Sequence, residues 1–158
     1  MLKKVMIGLI TLLIFAIAGS VLIYKKSIQP YKQAEKQATT FAKKHVDIKE
    51  VDEFYWFNRE ETNFTLVGRS SKGSEIVVFI PESGNKLKLM KQSEGINYEQ
   101  VTDFIEKNYH PYKILRLNLG MIKEVPQWEV VVQNENKQLT YYLIDFKSGK
   151  VISILENV

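Results

Sequence analysis

Residues 141–152 read Tyr-Tyr-Leu-Ile-Asp-Phe-Lys-Ser-Gly-Lys-Val-Ile. An aromatic and β-branched run leads through Asp145 and a Lys-Ser-Gly turn into a second apolar run. That is the pattern of two antiparallel strands joined by a tight turn. The same plan stands 65 residues earlier: Ser83-Gly84 matches Ser148-Gly149, residues 77–80 match 142–145, and 64–67 match 129–132. On the same offset Thr40 falls on Ile105. Residue identity between the stretches is low, but the order of elements and the turn positions agree. The pattern predicts a duplicated helix-plus-four-strand unit of about 60 residues. A unit that small has a marginal core, so the two halves are expected to pack together.

Working outward, each half opens on a helix. Tyr31, Ala34, Ala38 and Phe41 recur as one apolar stripe, with Lys32, Gln33, Lys36 and Gln37 on the wet side. Pro30 suits the first turn of a new helix there. In the second half Asn97 and Gln100 have capping-box spacing. Tyr98, Val101, Phe104, Ile105 and Tyr109 share a face, and His110-Pro111 ends the helix. Phe41 and Ile105 are the expected core residues of their helices. Strands are expected at 51–57, 64–70, 74–80 and 86–90, with a turn at 81–85, then at 112–121, 127–134, 138–145 and 150–155.

Residues 5–24 contain no charge and are bracketed by lysine pairs. A helix of this length spans about 30 Å, the thickness of a bilayer hydrocarbon core. The run reads as a retained anchor with residues 1–4 in the cytoplasm and the remainder exported. A signal peptide cleaved after Ala18 is the competing reading, but the apolar run continues past that point. The chain has 22 basic and 18 acidic residues and a net charge of +4. Lys3, Lys4, Lys25 and Lys26 account for the whole excess. The basic character therefore belongs to the leader and not to a nucleic-acid-binding face. There is no cysteine, so disulfides, thiolate metal sites and a cysteine nucleophile are excluded.

The chain contains no phosphate-binding glycine loop and no metalloprotease or serine-hydrolase signature. His45 follows Lys43-Lys44 at a helix C-terminus, where the helix dipole favours a cation. His110 belongs to a helix stop. Glu99, Asp103 and Glu106 fall on the exposed side of the second helix. No catalytic, cofactor-binding or metal-binding residue is assigned. Asn63-Phe64-Thr65 matches the glycosylation sequon, a pattern with many chance occurrences. Phe54 and Trp56 alternate with Tyr55 and Phe57, which puts aromatics on both faces of one strand. Packing of one half on the other accounts for this. A partner-docking surface is the alternative, and Tyr55, Phe57, Glu60 and Glu61 are its candidate residues.

Anchor, duplication, length and the ending at 141–152 together make the chain resemble the TseB-like (YpmB-like) family of Gram-positive bacteria. Its C-terminal half is similar to PepSY domains, in which a strand ending in Asp leads through a Ser/Thr-Gly-Lys turn to a last strand, here 145–151. The resemblance implies an α+β fold: an N-terminal transmembrane helix and two tandem cystatin-like (PepSY-like) units, each one helix packed on a curved antiparallel sheet. The units would span 25–92 and 93–158. It further implies a non-enzymatic, membrane-anchored, extracytoplasmic regulator of cell-wall elongation that contacts a penicillin-binding protein and uses no cofactor. The alternative is a PepSY-type inhibitor or chaperone of an exported peptidase, for which the 58–63 loop would be the inserting segment. A hydrolase is the weakest reading, because no nucleophile–base pair is visible.

Overall fold

The computed structural model describes residues 2–84 and 86–156. Met1, Asn85, Asn157 and Val158 lie outside the described residues, so the expected 81–85 turn is described as far as Gly84. The chain divides into two units, the first ending at Gln37 and the second beginning at Ala38.

The first helix overturns the expected break at Pro30. α1 runs unbroken from Leu2 to His45 with Pro30 inside it. Proline removes the donor that the Lys26 carbonyl would use, a cost of about 3 kcal/mol. Ser27 could cap a new helix here. Instead its hydroxyl donates to the Ile23 carbonyl one turn back, at 2.9 Å. The strong helix formers after Pro30 (Lys32 to Gln37) carry the helix through it. Its most apolar 18-residue window has a mean hydropathy of 2.7 and none of it is buried in the protein. This stretch is long and apolar enough to cross a membrane.

The second unit holds two four-stranded antiparallel sheets. The first is β1 (Glu50–Asn58), β2 (Thr62–Arg69), β3 (Glu75–Pro81) and β4 (Lys88–Lys91), paired in that order. The second is β5 (Lys113–Ile122), β6 (Val125–Gln133), β7 (Leu139–Asp145) and β8 (Val151–Leu155), also paired in order. All eight expected strands are present, with ends shifted by a residue or two. Both sheets carry a bulge in their first strand, at Asp52 and at Leu115. In both, the turn after the third strand ends on a glycine in the left-handed region, Gly84 (φ 70°) and Gly149 (φ 68°). Both halves therefore run helix, then four-stranded meander.

α2 (Tyr98–Tyr109) begins with the expected reciprocal cap: Gln100 N–H donates to Asn97 Oδ1 and Asn97 N–H to Gln100 Oε1, both at 2.9 Å. It ends at His110, which takes a left-handed conformation (φ 45°). Val101 and Ile105 are fully buried. They join Val77, Phe79 and Met90 of the first sheet and Leu119, Trp128, Val130 and Ile144 of the second in one core. The two sheets share that core. The register places Tyr55, Thr65 and Phe79 side by side on the shared face of the first sheet. The other face carries Phe54, Leu66 and Val78, all buried. Ala38 and Ala42 in the last turns of α1 are buried with them. Phe41 does not take the central place expected for it. It is half-buried beside Gly84 at the rim, and the smaller Ala38 and Ala42 let the helix approach the sheet.

Candidate partner-docking cleft

β1 and β5 are the edge strands through which the two sheets meet. Asn118 Nδ2 donates to the Trp56 carbonyl at 2.9 Å. Asn63 acts as a side-chain stand-in for a strand: its Nδ2 donates to the Met121 carbonyl at 3.0 Å, and its Oδ1 accepts from Met121 N–H at 2.9 Å. Phe57 lies on the backbone of Gly120, where any Cβ would collide with its ring. Beside this seam Glu129 of β6 is buried and held by two arginines. Arg59, from the β1–β2 hairpin, reaches it at 2.5 Å, and Arg116 of β5 at 2.7 Å. Charge-assisted contacts of this kind satisfy a carboxylate that has lost its water. The seam is therefore a fixed platform for the loops above it.

Those loops surround a cleft of about 570 Å³. The β1–β2 hairpin contributes Glu60 and Glu61, the segment before β4 contributes Lys86 and Leu87, and the β5–β6 hairpin contributes Lys123 and Glu124. Asn63, Pro81, Met121 and Ile122 also line it. Lys88 Nζ donates to the Glu124 carbonyl at 2.8 Å, which ties the first sheet to the second hairpin. Lys123 and Glu60 approach to 3.8 Å across the cleft, and both are exposed. Lys123 and Glu124 form a two-residue turn with both residues at positive φ (50° and 64°). That turn normally takes Asn-Gly, so two charged residues are held here in strained backbone. An apolar floor with acidic and basic rims suits a protein partner better than a small anion or cation.

The four residues expected at a docking surface separate. Glu60 and Glu61 line the cleft. Phe57 is fully buried on Gly120 and cannot meet a partner. Tyr55 turns to the shared core, edge-on to Trp128 at 5.5 Å, with its hydroxyl on Glu53. Inter-sheet packing thus accounts for these two aromatics. The Asn63 amide of the sequon match is buried and engaged on both sides by Met121, so it is not presented as an acceptor. His45 and His110 stand apart from the cleft, His45 with Nδ1 2.8 Å from the Phe41 carbonyl of its own helix. Among the described residues no group of His, Asp and Glu could hold a metal ion.

Residues 37–81 match the family model of the cell wall elongation regulator TseB-like domain. Over 149 residues the chain is 26% identical to the probable cell wall elongation regulator TseB of Bacillus subtilis (strain 168), covering 94% of this chain and 91% of that protein. The chain thus contains a stretch that matches a TseB-like domain and is similar to TseB along most of its length. The YpmB protein from Bacillus subtilis has the same fold, with a TM-score of 0.68 at 24% identity over 77% of this chain and 95% of that one. The part matched by the family model ends at Pro81. It therefore includes Glu60, Glu61 and Asn63 but none of the β5–β6 hairpin that closes the cleft.

Proposed function

We propose that this protein is a non-enzymatic, membrane-anchored, extracytoplasmic regulator of cell-wall elongation that works by contact with a penicillin-binding protein. The observation that carries the reading is near-full-length similarity to a probable cell wall elongation regulator. The apolar part of α1 supports a single-pass anchor, with residues 1–4 in the cytoplasm, 5–24 in the membrane, and 25–92 and 93–158 as two cystatin-like, PepSY-like units outside. The cleft between the Glu60-Glu61 and Lys123-Glu124 hairpins is the contact surface. Its mixed rim selects a partner segment that presents both charges over an apolar centre.

The test is photo-crosslinking in living cells from probes placed at Glu61 and Lys123. Both should capture a membrane-bound wall-synthesis transpeptidase. Reversing the rim with Glu60→Lys and Glu61→Lys should abolish capture and change cell length or width while the protein stays abundant. Capture of an exported peptidase instead would move the reading to an inhibitor or chaperone. An unchanged shape in the reversed variant would remove the cleft from the mechanism.

A further inference from the structure

The two sheets have four edge strands, and three of them are guarded. β1 and β5 face one another across the seam, tied by Asn118 and Trp56. β4 is only four residues long and carries Lys88 and Lys91. Short length and lysine are the usual protections of a free edge. β8 has neither. Its five residues, Val151 to Leu155, include no charge and no proline. Ile152, Ile154 and Leu155 are 51%, 43% and 53% exposed. Its one protective feature is the bulge at Ile152.

We infer that β8 pairs antiparallel with β8 of a second copy of this chain, about a two-fold axis at Ser153. The sequence around that point is self-complementary. In this register Ser153 faces Ser153, Ile152 faces Ile154, and Val151 faces Leu155. Immediately outside the strand, Lys150 faces Glu156. Both are exposed, and neither has an ion-pair partner among the described residues. An isologous interface needs each residue to meet its complement in the same strand, and this segment supplies apolar pairs inside and opposite charges at both ends. The bulge at Ile152 disturbs the ladder one residue from the axis, and the strand is only five residues long. Pairing is therefore weak in dilute solution and relies on the raised local concentration of chains held in one membrane.

The absence of cysteine makes the test direct. Full-length Ser153→Cys, reconstituted in lipid vesicles and mildly oxidised, should form a disulfide dimer. Lys72→Cys, in the exposed turn between β2 and β3, measures random collision. Adding K150E or E156K to the Ser153→Cys chain should cut dimer yield about five- to tenfold, because like charges then face each other at both ends. Mixing the two single-charge variants should restore it, since each then complements the other. That restoration also shows that both variants are folded. Equal yields from Ser153→Cys and Lys72→Cys would overturn the inference. So would failure of the mixture to restore yield, or in cells a Ser153→Cys chain joined to a different protein. Each of these outcomes leaves the cleft reading standing, because β8 is not part of the cleft.

Discussion

Glu129 shows how a single side chain can join two sheets. It is 4% exposed, and its carboxylate is shared by Arg59 of one sheet's hairpin and Arg116 of the other sheet. Removing a cation leaves buried charge under-compensated, whereas neutralising the carboxylate leaves two arginines that can reach water. Arg59→Ala should therefore cost about 1–3 kcal/mol in urea unfolding, and more than Glu129→Gln. Asp145 does a comparable task locally. Its Oδ1 accepts from the amide and the hydroxyl of Ser148, both at 2.7 Å, and so shapes the β7–β8 turn. Burial pushes its carboxyl up, but the Ser148 and Lys147 contacts outweigh burial and hold it below the usual carboxylate range. The folded state thus binds this proton less readily than the unfolded chain. Its contribution is complete above the unfolded value of about 3.9 and is lost as pH falls through the lower folded value. Asp145→Asn should flatten that acid limb, read as thermal midpoint against pH. An unchanged limb would show that the turn does not sense the charge.

At the scale of elements, the β5–β6 hairpin carries strain that its sequence does not relieve. Lys123 and Glu124 sit at φ 50° and 64° in a turn that favours Asn-Gly. Lys123→Asn with Glu124→Gly should raise stability by about 1 kcal/mol and remove the charged rim together. Higher thermal midpoint with lost partner capture is the expected pairing of results. Lost capture without added stability would mean that the backbone there is not strained. The eight strands were legible in the sequence because alternation and turn residues are local signals. The repeat was legible because its turn glycines recur, although the spacing between halves drifts from 63 at the bulges to 65 at the glycines. Pro30 misled because propensity marks a cost, not a break, and Phe41 because a helical stripe does not say which of its members lies deepest. Of the site, Glu60 and Glu61 could be found as an exposed pair in a hairpin. Asn63, Glu129 and Lys123 could not. The bonds that give Asn63 and Glu129 their roles join residues 58 and 70 apart in sequence, and no local pattern reports those.

The molecule as a whole is a repeat in sequence but not in its core. Val77, Phe79 and Met90 come from the first meander, yet they are packed into one cluster with Val101, Trp128, Val130 and Ile144 of the second half. Phe79 meets Phe146 at 6.1 Å and Tyr55 meets Trp128 at 5.5 Å, so aromatic contacts cross between halves. A chain of residues 93–158 alone would expose the surface that these side chains cover, and a unit of that size has little stability to spare. It should therefore fail to show a cooperative thermal transition and should be degraded in cells. Residues 38–158, which keep both halves, should melt in one step. Ile105→Ala in the longer chain should cost about 2–5 kcal/mol, since the side chain is fully buried in the shared cluster. The decisive reading is where that loss is felt. Hydrogen exchange should speed up together in β3 and in β6, because the two strands stand on one core. Faster exchange confined to the second sheet would show that the halves are energetically separate, and the shared core would then be a contact without cooperativity.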